Sequence, residues 1–179
     1  MLQFHVLLSL VGMAAGFVAL YELVVCRAFK GWTALFIAAT GLTSITGFPL
    51  APFGFDPARA AGVIALLLLA LAVAALYAFR LAGVWRWVYI GSAITALYLN
   101  VFVGVVQAFQ KVPFLQQLAP TQLEPPFIVA QLIVQATFVA FGIAAVRQFG
   151  LSANEFASHA FSGDVTEAAH GSLQRWRTR

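Results

Sequence analysis

The apolar positions of this chain gather into long blocks, separated by short polar or proline-rich ones. Five apolar stretches can be read, at roughly 4–26, 32–50, 59–79, 84–109 and 127–148. Each approaches the ~20 residues that a helix needs to cross ~30 Å of hydrocarbon. The pattern predicts an all-α fold: a polytopic membrane helix bundle of about five transmembrane helices over residues 1–149, followed by a polar tail over 150–179.

The stretches differ in character. The first, Phe4 to Val25, contains Gly12-Met13-Ala14-Ala15-Gly16. Small residues four apart let another backbone come close. Gly12 and Gly16 are therefore expected at a helix-packing surface, inside the bundle or at a dimer interface. The second stretch, Trp32 to Leu50, is the shortest and the richest in hydroxyls: Thr33, Thr40, Thr43, Ser44 and Thr46. Pro49 and Pro52 end it, because proline cannot continue the hydrogen-bond ladder. Asp56-Pro57 restarts the helix. The third, Arg59 to Phe79, is nearly all Ala, Leu and Val, and reads as a lipid-facing or filler helix. A tight turn around Gly83 leads to Trp85, Trp87 and Tyr89, an aromatic belt at a membrane interface. An outer segment, Gln110 to Pro126, precedes a last helix opened by Glu124-Pro125-Pro126, with acid and proline where a helix start favours them.

Charge adds a direction. With the N-terminus outside, the cytoplasmic segments carry Arg27, Lys30, Arg80, Arg86, Arg147, Arg175, Arg177 and Arg179, while the outer ones carry Arg59 and Lys111. Eight against two follows the positive-inside rule. The expected topology is N-terminus outside, C-terminus cytoplasmic, in a plasma membrane of the bacterial inner-membrane kind. The tail contains Asp164-Val165-Thr166-Glu167, which resembles a capping box, and Phe156, Phe161 and Trp176. It either lies on the membrane surface or is partly disordered.

Composition excludes other classes. The chain is 62% hydrophobic and 9% charged, with a mean hydropathy of +0.92. Soluble domains carry ~25% charged residues. The net charge of +4 does not point to nucleic acid, because the basic residues flank apolar spans and form no patch with interleaved aromatics. Cys26 is the single cysteine, so no intrachain disulfide forms. Leu23-Val24-Val25-Cys26 is a poor lipoprotein cleavage box: no basic residue precedes the apolar run, and Val25 is β-branched.

Polar residues inside a bilayer are costly unless partnered, so they carry the functional information. Asn100, Gly104, Gln107 and Lys111 share one helix face, as do Gln131, Gln135, Phe138 and Gly142, and Thr40, Ser44 and Gly47. In the expected topology Asn100, Gln107, Gln131, Gln135, Thr43 and Ser44 lie in the outer half, with His5 at its edge. They converge either as interhelical hydrogen-bonding glue or as a polar ligand pocket. His5, Glu22, Lys111 and Glu124 are the candidate titratable groups. Glu22, one turn from the cytoplasmic end, snorkels to water, pairs with Arg27 or Arg80, or relays protons. Lys111 and Glu124 bracket the outer segment as a candidate ion pair.

Catalytic and metal chemistry find no constellation. Haem would need two intramembrane histidines, but only His5 lies near a span, and His159 and His170 fall in the tail. Clustered metal ligands, phosphate loops and nucleophile motifs are missing. The leading expectation is a small non-enzymatic membrane protein that works by association, as an accessory or interaction subunit of a membrane complex. Its partners would be membrane lipids and other membrane subunits or further copies of itself, and it would need no cofactor. The alternative is a binder or carrier of a small lipophilic molecule such as a quinone or lipid, whose carbonyls Asn and Gln could hydrogen-bond. A third, an ion or proton transporter, has only His5 and Glu22 to titrate along its path.

Overall fold

A computed structural model describes residues 2–25, 30–47 and 57–148. Cys26, Arg27, the proline-containing break after the second helix, Asp56 and the tail lie outside the described residues. Among those described, every regular element is helical: α1 (Leu2–Val24), α2 (Lys30–Gly47), α3 (Pro57–Val73) with a π-helical extension (Ala74–Ala78), α4 (Trp85–Lys111), α5 (Pro113–Leu118) and α6 (Pro125–Gln148). Apolar side chains bring the backbone into an environment without water, where a helix satisfies its own N–H and C=O groups.

Four helices are long and apolar enough to cross a membrane: α1, α3 with its extension, α4 and α6. α2 has 18 residues, and its hydroxyls and Lys30 dilute its hydropathy. The membrane protein is thus clear, and α2 is the stretch that length and apolarity alone do not mark as a span. The outer segment, expected as a loop, contains the short α5, with Pro113 in its first turn.

α1 and α2 run antiparallel. His5 meets Thr46, Gly12 faces Thr40 and Gly16 faces Phe36, rising along one helix while falling along the other. α4 closes against both, with Leu97 beside Gly16 and Met13 beside Gly104. α3 packs chiefly on α4 and also on α2. Its small residues Ala61, Ala65 and Ala72 and its Leu69 are buried on one face, while Val63, Ile64, Leu67 and Leu71 are exposed on the other. Ala15, Leu20, Phe36, Leu69, Ala96, Leu97 and Phe138 form the core. α6 reaches that core through Phe138, whose ring contacts Phe17 and Tyr98, and through Phe127 against Phe109.

The α3–α4 turn is tightly stapled. Phe79 N–H reaches Ala74 O at 3.0 Å and Leu81 N–H reaches Ala75 O at 2.9 Å. Arg80, Leu81 and Gly83 all adopt the left-handed region, with φ of 49°, 57° and 53°. Such a conformation costs ~1–2 kcal/mol for a residue with a Cβ. Offsetting contacts surround it: the Phe79 and Trp85 rings stack at 3.6 Å, and Arg86 Nε donates to Gly83 O at 3.2 Å.

Candidate functional site

A polar seam runs between α1, α2 and α4 toward the end where α1 begins and α2 and α4 finish. At mid-height, Asn100 Nδ2 donates to Thr40 Oγ1 at 3.2 Å, and Thr40 is 1% exposed. Gly12 makes room for that hydroxyl: a Cβ there would stand 3.1 Å from Thr40 Oγ1. Nearer the end, Thr46 Oγ1 lies 3.0 Å from His5 Nδ1. The Thr46 proton is already committed to Leu42 O at 2.7 Å, with Thr43 O at 3.2 Å. A hydroxyl has one proton, so Thr46 accepts and His5 donates from Nδ1. Lys111 lies exposed at the end of α4, at the same end of the bundle as His5.

Three side-chain oxygens lack partners among the described residues: Thr43 Oγ1, Gln107 Oε1 and Gln131 Oε1. Thr43 is 7% exposed. Ser44 lies half-buried on α2. Gln131 spans the α4–α6 interface, where its Nε2 donates to Phe102 O at 3.3 Å. Gln135 does not join it. Each i+4 step turns a helix by about 40°, and that turn carries Gln135 past the contact edge, so its side chain is exposed. Sequence spacing therefore joined two residues that the packing of α6 separates.

The Gly12 and Gly16 face is occupied within the chain. A Cβ at Gly16 would stand 2.5 Å from Leu97 Cδ1 and 2.8 Å from Phe36 Cδ2. Glu22 is buried at the opposite end, with Oε2 unpartnered among the described residues. Of its two expected partners, Arg27 lies outside them, and Arg80, which is described, does not reach Oε2.

Glu124 serves the loop between α5 and α6 rather than Lys111. Its Oε1 accepts from Thr121 Oγ1 at 2.8 Å and Thr121 N–H at 3.2 Å, and its Oε2 from Leu123 N–H at 3.1 Å. Desolvation pushes the carboxyl up, but the bonds from Thr121 and the surrounding backbone outweigh it and hold the group below the usual carboxylate range. Its carbonyl meanwhile caps α6 by accepting from Phe127 N–H at 3.1 Å. Gln122, which no sequence pattern singles out, ties the loop down by donating from Nε2 to Val106 O at 3.2 Å.

The seam can hold helices together, and the unpartnered oxygens can accept hydrogen bonds. Among the described residues, no three His, Cys, Asp or Glu side chains group to ligate a metal. A cleft lined by Gly16, Leu20, Phe36, Tyr89 and Leu97 has about 20 Å³ of free volume, enough for one water. No protein-family model, curated protein or solved structure matches the chain.

Proposed function

We propose that this protein is a non-enzymatic interaction subunit of a membrane complex, crossing a plasma membrane five times with its N-terminus outside. In this reading α2 is the fifth span, and its packing against α1 and α3 supports that count. The observation that carries the reading is the state of α6. Only 6% of its most apolar window is buried, against 28% in α1 and α3 and 33% in α4. Leu132 and Ile133 are each 61% exposed. A helix held to its bundle by one narrow face leaves the broader face free for another protein.

Photo-crosslinking in native membranes tests this. A crosslinker at Leu132 or Val139 should form protein adducts, while one at Leu67 on the lipid side of α3 should label lipid. Lipid adducts alone at all three positions would overturn the reading.

A second reading, a binder of a small lipophilic molecule with hydrogen-bonding groups, is supported by the unpartnered oxygens of Thr43, Gln107 and Gln131. A ligand donor bonded to any one of them would remove the cost of leaving it unpaired.

A further inference from the structure

We propose that the partner of α6 is a second copy of this chain, joined along a heptad seam centred on Gln135. This inference rests on the reading of α6 as a protein-covered helix and names what covers it.

Ile128, Leu132, Gln135, Val139, Gly142 and Val146 are spaced 4-3-4-3-4, the a/d repeat of a left-handed helix pair. The packing of α6 leaves this line outward. Ile128, Leu132, Val139 and Val146 are 46%, 61%, 51% and 48% exposed, and a Cβ at Gly142 would meet nothing within 4 Å. The line therefore has an apolar knob at each level but two. One exception is a glycine that permits close approach. The other is Gln135.

Gln135 stands ten residues from the start of the 24-residue α6 and thirteen from its end. At 1.5 Å per residue that is about 15 Å and about 20 Å from the two ends, near mid-bilayer. A glutamine side chain is too short to bring its amide to water from there. No hydrogen bond reaches it among the described residues. Thr137, also exposed, escapes the same problem by donating to Ile133 O at 2.8 Å on its own helix. A carboxamide carries donors and an acceptor, so an unpaired one in hydrocarbon is costly on both counts.

These features fit one occupant. A two-fold pair brings the same residue to the same level on both helices. Two glutamine amides facing each other each donate and accept, closing two hydrogen bonds and leaving only the second N–H of each amide unpaired. A polar residue at one a or d position also fixes register. A lipid tail offers neither donor nor acceptor at that depth, and an unrelated helix would need its own amide there.

Full-length protein in a Cys26→Ser background tests the seam in membranes and in mild detergent. Val139→Cys should form a disulfide-linked species of twice the chain mass, and Ile133→Cys, exposed but off the seam, should not. Native mass analysis without added cysteines should show a dimer. Gln135→Leu should weaken it about tenfold, and Gln135→Asn should restore much of that loss. Unchanged helicity and melting of Gln135→Leu would show that the loss is in association. A dimer indifferent to Gln135→Leu would overturn the proposal. Adducts only to a chain of different mass would overturn it and leave the interaction-subunit reading standing. A monomer with no protein adduct would overturn both.

Discussion

Thr46, Ser92 and Thr137 each return a hydroxyl proton to a carbonyl four residues back on their own helix, at 2.7, 2.6 and 2.8 Å. Their side chains are short enough to stay local. The longer carboxamides reach beyond their own element: Asn100 for Thr40, Gln131 for Phe102 O and, from the loop, Gln122 for Val106 O. Hydroxyls can thus be placed from sequence with little more than helix geometry. An amide's partner depends on which helix stands opposite. Gln135 has no helix opposite it among the described residues, and this distinguishes it from Gln131. Combined replacement of Asn100 and Gln131 by Leu separates packing from ligand binding. Interhelical bonds of this kind average ~0.6 kcal/mol, so a packing role predicts a loss of roughly 1 kcal/mol in detergent unfolding. Unchanged stability with loss of a co-purifying lipophilic molecule would show a binding site instead.

Between elements, close approach depends on a few small residues. Gly16 lies where Leu97, 2% exposed, and Phe36, 3% exposed, already fill the space a Cβ would need. Gly16→Ala should destabilise the bundle by about 1–3 kcal/mol through overpacking. Gly91, in open space on α4, is the control. Gly91→Ala should be neutral or stabilising by up to ~1 kcal/mol, because alanine is the better helix former. Equal melting shifts would show that helix propensity, not the α1–α4 contact, governs both sites. The Gly12 and Gly16 pair was legible from spacing, but its partner was not: the same motif suits a neighbour within the chain or a second chain. Helix extents were legible to within about three residues, because apolar runs and prolines bound them. The left-handed turn at Arg80 and Leu81 was not, since neither residue favours that region.

At the scale of the molecule, the antiparallel order of α1, α2, α3 and α4 puts His5, Thr46 and Lys111 at one end and Glu22, Arg80 and Arg86 at the other. From the charge bias we propose the second end as the cytoplasmic one. Reporter fusions after Gly83 and Leu118 should read cytoplasmic and outer respectively; a cytoplasmic reading at Leu118 would reverse the orientation and move the polar seam to the inner face. Sequence alone determined that the chain is a helical membrane protein, where its apolar helices lie and which ends carry positive charge. Those properties follow from hydropathy and charge summed along contiguous residues, and need no knowledge of neighbours. Tertiary structure decided which polar residues meet, that the glycine pair is spent inside the bundle, and that α6 keeps its heptad face outward with Gln135 at its centre. Each of these depends on the rotation of one helix against another, and a turn of about 40° is enough to move a side chain from buried to exposed.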